Sequence, residues 1–158
     1  MLHDDALTHR AKIEAAIRTA AHDGLPSQRK LSEGFEIVGV FGEIEFAVRS
    51  GLPLPLDQNI LSDGGVDFIV PLRFTLDVKI ACKAFNLIQE VGKVTPDIYV
   101  LAEFNWEGAR VRLVGREWGA ALRQAPTRDF GHGLINHFIP AFSLRPMAEL
   151  FDRIVRVR

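Results

Sequence analysis

The chain has 158 residues, 47% hydrophobic and 25% charged, which is the composition of an ordinary globular domain able to bury one core unaided. Its 19 basic and 20 acidic side chains leave a net charge of −1, excluding a polybasic arm as the route to nucleic acid or a membrane. The single cysteine, Cys82, excludes an intrachain disulfide and a cysteine-rich zinc site, and suits a buried or half-buried intracellular thiol.

No apolar run approaches the roughly 18 residues of a membrane span. Met1-Leu2-His3-Asp4-Asp5 lacks the charged and apolar regions of a signal peptide. A cytoplasmic protein with one domain over residues 1–158 is therefore expected. Asp4 and Asp5, followed by Ala6, Ile13, Ala16, Ile17 and Ala20 at helical spacing, predict a surface helix over 5–23 that Gly24 and Pro26 stop. In 33–50, Phe35-Glu36-Ile37 would suit a strand. Ile37, Phe41, Ile44 and Val48 nevertheless fall on one helical stripe, with Gly51 in the position of a C′ glycine and Pro53 and Pro55 beyond it. Gly39 and Gly42 each cost that helix about 1 kcal/mol relative to alanine, a cost that close packing against another backbone would explain.

Beyond the Gly64-Gly65 loop, Val66–Val70 and Arg73–Ile80 read as two strands of a hairpin broken at Pro71-Leu72. Residues 81–92 show no regular pattern. Asp97–Phe104 reads as a buried strand, Asn105-Trp106-Glu107-Gly108 as a turn and Ala109–Val114 as an edge strand. A short helix is predicted around Trp118–Arg123. A last helix opens at Pro146 with Met147, Leu150, Phe151 and Ile154 on one stripe. These elements predict an α/β domain with a small central mixed sheet flanked by helices.

Chemistry concentrates between Gly65 and Lys79. Period-2 geometry sets Asp77 and Lys79 on one face of their strand with Val78 on the other, and the hairpin brings Asp67 alongside Asp77. Such charges within apolar strands are costly unless paired or holding a cation. Carboxylate oxygens without soft ligands select Mg²⁺ or Mn²⁺. A hard cation between two carboxylates, beside a lysine, suits phosphodiester hydrolysis: the metal polarises the phosphate and the lysine orients water or offsets developing charge.

This pattern resembles the PD-(D/E)XK nuclease superfamily, with its restriction-endonuclease-like fold. Asp67 matches the lone aspartate of the motif, and Asp77-Val78-Lys79 matches the (D/E)-x-K element. Val66 stands where the nominal proline would be. Upstream, Gly42-Glu43-Ile44-Glu45-Phe46-Ala47 resembles the helix that carries the family's glutamate, with Glu43 the first choice and Glu45 the reserve. Pro96-Asp97-Ile98-Tyr99-Val100-Leu101 resembles the buried strand that follows the family's crossover helix. The likeness covers a core of about 33–115, leaving the helix over 5–23 before it and a basic extension, 116–158, after it. It implies that Asp67, Asp77 and the Val78 carbonyl ligate Mg²⁺ or Mn²⁺. Lys79 would position water, and Glu43 would hold a second ion or orient Lys79. DNA as substrate and a homodimer are further implications. Lys93 stands where the RecB-like branch has a tyrosine four residues after Gln89, so that branch is not supported.

An Asp-x-Lys tripeptide alone is commonly a pair of solvated strand positions, and a lone Asp67 could be a turn acid. What carries the reading is the ordered occurrence of helix Glu, strand Asp and strand Asp-x-Lys. An inert restriction-endonuclease-like module that binds nucleic acid or protein is the alternative; an interaction protein with no nucleic-acid role is the third reading. His132 and His137, five apart, miss the spacing of a helical zinc pair and read as loop histidines. Glu43 with Asp67 as a glycosidase acid pair would leave Lys79 without a task. Trp106 and Trp118 read as packing residues, with base stacking as the other use.

The net charge is unevenly distributed. Residues 1–107 carry 10 basic and 16 acidic side chains, whereas 108–158 carry 9 and 4. Arg110, Arg112, Arg116, Arg123 and Arg128 are the candidate phosphate contacts of this basic portion.

Overall fold

A computed structural model describes residues 35–54, 65–70, 73–108, 110–131 and 133–156, with side chains described from Val38 onward. The helix expected over 5–23 and His132 lie outside the described residues. Helix α1 spans Phe35–Ser50, and Gly51 follows in the left-handed conformation (φ 68°) that its C′ position requires. Strands β1 (Phe68–Val70) and β2 (Phe74–Ala81) form the expected hairpin, with Phe68 opposite Leu76 and Val70 opposite Phe74. Strand β3 (Asn86–Glu90) follows, then β4 (Ile98–Asn105) and β5 (Arg110–Trp118). Helix α2 (Gly119–Gln124), β6 (Thr127–Asp129), β7 (Ile135–Pro140) and helix α3 (Met147–Arg156) complete the chain.

The α/β fold contains a four-stranded mixed sheet, ordered β1-β2-β4-β5, and a three-stranded antiparallel sheet, ordered β3-β7-β6. In the larger sheet β2 and β4 run parallel while the outer pairings are antiparallel. Among the described residues the two longer helices, α1 and α3, lie on one face. Leu76, Val78, Ile98, Val100 and Ala102 pack there against Phe46 and Ala47 of α1 and Met147, Leu150 and Ile154 of α3. Apart from the two alanines, each such side chain, once buried, contributes about 1.5–3 kcal/mol. On the opposite face Tyr99 and Leu101 pack with Leu87 of β3 and Leu122 of α2, backed by Ile139 of β7.

Three expectations are corrected. The connection from β2 to its parallel neighbour β4 carries strand β3, where the resemblance implied a crossover helix. β3 pairs with β7, so the segment beginning at 116 is no appended extension: it completes β5 and supplies two strands and two helices to the same core. Cys82 is exposed rather than buried or half-buried. Gly42 is closely packed, against side chains and not the expected backbone: a Cβ there would meet Ile80 Cδ1 at 3.1 Å and Val78 Cγ1 at 3.3 Å; Gly39 has nothing within 4 Å. Close packing therefore accounts for one of the two helical glycines. Among the described residues no helix is long and apolar enough to cross a membrane.

Candidate functional site

Asp67 precedes β1 by one residue, and its backbone leaves the hairpin register. The Asp67 N–H donates at 2.8 Å to the carbonyl of Leu76, the residue that Phe68 already faces, so Asp67 is offset by one residue as in a β-bulge. The Asp67 side chain then takes over the ladder, Oδ2 accepting from the Val78 N–H at 2.6 Å. In an antiparallel pairing a residue directs its N–H and C=O to the same edge. The Val78 carbonyl therefore points to the edge of β2 that holds the Asp67 carboxylate. Asp67 and the Val78 carbonyl, two members of the expected ligand set, lie together for a local backbone reason.

Asp77 and Lys79 project from the face opposite α1, as period-2 geometry predicts. Lys79 Nζ lies 2.6 Å from Asp77 Oδ2, with the Asp77 side chain 6% exposed and that of Lys79 34%. Asp77 is thus a buried carboxylate whose ammonium partner reaches water. Tyr99 stands beside it in the parallel β2–β4 register, and Glu117 beside Tyr99 across β4–β5. The row Asp77–Tyr99–Glu117 is buried throughout. Burial first, and the Asp77 charge second, push the Tyr99 phenol well above its ordinary pKa, so it stays protonated. The sequence reading missed Tyr99 and Glu117 as neighbours of Asp77, because their proximity follows from strand pairing across the sheet.

Glu43 is buried in α1 directly after Gly42, the residue seated on Val78 and Ile80. It belongs to the helix layer, whereas Asp77 and Lys79 leave β2 on the other face. Among the described residues no group of three or more His, Cys, Asp or Glu side chains is brought together to hold a metal. Glu43, Asp67 and Asp77 accordingly do not form one all-protein cage. Glu45, the reserve candidate, pairs with Arg49 at 2.7 Å along the helix. The described donor set nevertheless fits Mg²⁺ or Mn²⁺ by its chemistry: hard oxygens, two of them carboxylates, and one backbone carbonyl. Such ions commonly use one or two carboxylates together with substrate phosphate and water.

The five arginines divide. Arg110 and Arg128 are exposed; the Arg110 stem lies along Gly108, and the Arg128 guanidinium lies 5.7 Å from the centroid of Phe130. Arg112 pairs with Glu103 at 3.2 Å, and Arg123 donates to the Val94 carbonyl at 2.9 Å. Arg116 is withdrawn as a phosphate contact. Its side chain is 2% exposed, pairs with Glu149 at 2.7 Å and lies 5.5 Å from the Trp118 ring centroid. Burial lowers its pKa, partly opposed by Glu149. His137, expected in a loop, lies on β7 with Nδ1 3.1 Å from the Ala125 carbonyl.

No family model matches the chain, and no curated protein or solved structure is significantly similar to it.

Proposed function

We propose that this protein is a metal-dependent nuclease that hydrolyses phosphodiester bonds of DNA, with Asp67, Asp77 and the Val78 carbonyl holding Mg²⁺ or Mn²⁺. The observation that carries the reading is the β2 edge, where the Asp67 carboxylate is fixed by the N–H of Val78, the residue that follows the buried Asp77. A buried carboxylate is costly as a purely structural device, because it loses its hydration while its lysine partner stays partly in water. It is well placed to meet a phosphate and a water at an open edge.

When bound, the cation polarises the phosphate and lowers the pKa of a coordinated water. Asp67 and Asp77 bring negative charge and a fixed geometry to that position. Lys79, pinned at 2.6 Å from Asp77, orients the attacking water or offsets charge developing on phosphate oxygens. Glu43, buried in the helix layer across the sheet from Asp77 and Lys79, is outside this ligand set. Exposed Arg110 and Arg128, with Arg112 and Arg123 through their remaining donors, supply phosphate contacts.

The test is incubation of plasmid and linear DNA with Mg²⁺ or Mn²⁺, comparing the native chain with Asp77→Ala. Cleavage by the native chain and a loss of about 100-fold or more in the variant is the expected outcome. Cleavage that survives the substitution, or none with any divalent ion and DNA form, overturns the proposal. One observation favours the alternative of an inert binding module: the short Lys79–Asp77 pair already satisfies a carboxylate oxygen that a metal would need. Calorimetric titration with Mn²⁺ separates the two, since an inert module gives no heat above background.

A further inference from the structure

The carboxylate assigned to the metal is already held by a cation of the chain itself. Lys79 Nζ lies 2.6 Å from Asp77 Oδ2, within hydrogen-bonding contact. The partners differ in freedom. Asp77 is buried in the middle of β2, flanked in sequence by the core residues Leu76 and Val78, whereas Lys79 reaches water. A lysine turns on a flexible four-carbon stem, so Nζ can leave the carboxylate while β2 stays in place.

Asp67 is held in another way. Its Oδ2 accepts from the Val78 N–H, a neutral donor that leaves the carboxylate its charge. Tyr99, beside Asp77 in the β2–β4 register, is buried and stays protonated, so it brings no charge to Asp77. A metal ion arriving at Asp77 therefore meets the Lys79 ammonium on the same carboxylate. Mg²⁺ or Mn²⁺ sits about 2.1 Å from a carboxylate oxygen, which on Oδ2 is within about 5 Å of Nζ. At that range a dication and an ammonium repel each other about twice as strongly as two unit charges, so the two compete for Asp77.

We propose that Lys79 is an internal competitor for the metal: the cation loads Asp77 only by displacing the ammonium, so Lys79 sets the metal concentration at which the site fills. This deepens the nuclease reading and rests on it. The exchange gives the short ion pair a task, since Lys79 neutralises the buried Asp77 before loading. The displaced ammonium then stands on the water side of Asp77, where it meets attacking water and phosphate.

The experiment is calorimetric titration of Mn²⁺ into the DNA-free chain, comparing the native protein with Lys79→Gln, Lys79→Met and Lys79→Arg, each checked for native circular dichroism. Lys79→Gln keeps a donor for Asp77 and drops the charge, so it tests the exchange even where Lys79→Met fails to fold. Both neutral variants are expected to bind Mn²⁺ more tightly than the native chain by about tenfold or more, with Lys79→Arg within about threefold of native. Equal or weaker binding by Lys79→Gln, or an equal tightening in Lys79→Arg, overturns the competitor role and leaves Asp77-dependent cleavage standing. Binding by Lys79→Gln, with neither binding nor cleavage by the native chain, keeps the competition and removes the nuclease reading. No heat above background with any of these proteins overturns the competition, and a lack of cleavage alongside it removes the nuclease reading as well.

Discussion

The two faces of the four-stranded sheet each bury an ion pair, and the pairs differ in what surrounds them. On the helix face Arg116 is sealed between Trp118 and α3, its partner Glu149 is 55% exposed, and its backbone exchanges hydrogen bonds of 3.0 Å with Arg145 in both directions. On the other face the buried member is the carboxylate Asp77, and Lys79 leads outward beside the edge where Asp67 replaces a strand residue. The first pair closes a seam between a strand and a helix. The second stands where the sheet pairing stops. Comparable burial and distance thus accompany two settings, a seam between a strand and a helix and, among the described residues, the end of the β1–β2 pairing.

The largest effect that should separate them is on stability. Glu149→Gln leaves the Arg116 guanidinium buried without its carboxylate and is expected to cost about 3 kcal/mol in urea unfolding. A loss under 1 kcal/mol would mean that Arg116 is not locked by that pair. Asp77→Asn leaves Lys79 free to hydrate, so its unfolding free energy should stay within about 1 kcal/mol of the native value. The helix behind the site offers a smaller test. Gly42→Ala gains about 1 kcal/mol of helix propensity against a Cβ that asks Ile80 to yield a few tenths of an ångström, so its net change should stay under about 1 kcal/mol. A large loss would show that α1 is seated on β2 more rigidly than that contact implies.

The smallest effect is a pH dependence. The Ala84 N–H, and then Arg112, hold the Glu103 carboxyl below its ordinary pKa. A carboxyl depressed in the folded state adds stability that is present above its unfolded pKa and is lost as pH falls through the folded pKa. Glu103→Gln should therefore be less stable than the native chain at pH 7 by about 0.5 kcal/mol, this being an exposed group. The difference should disappear in acid below the folded pKa. A difference that persists there would assign the effect to packing.

The hairpin and its aspartates were legible because their signals are local. Alternation in Phe74–Ala81 marks β2, and the hairpin it forms sets Phe68 against Leu76. The stripe of α1 and its Gly51 stop were legible for the same reason. The second sheet was not. Asn86–Glu90 and Ile135–Pro140 contain Asn, Gln, His and Pro, lack strong alternation, and become strands by pairing with each other across a long stretch of chain. Arg116 was expected among the phosphate contacts because it belongs to the basic portion 108–158, whereas α3 covers it and supplies Glu149. Tyr99 and Glu117 took their places beside Asp77 through sheet order, which no local pattern in either strand encodes.

The most direct test of the open-edge assignment puts both readouts on one substitution. On the proposed nuclease reading, Asp77→Asn should lose DNA cleavage in Mn²⁺ by about 100-fold or more while its urea midpoint stays close to native. Retained cleavage, or a loss of stability as large as that of Glu149→Gln, would contradict the assignment.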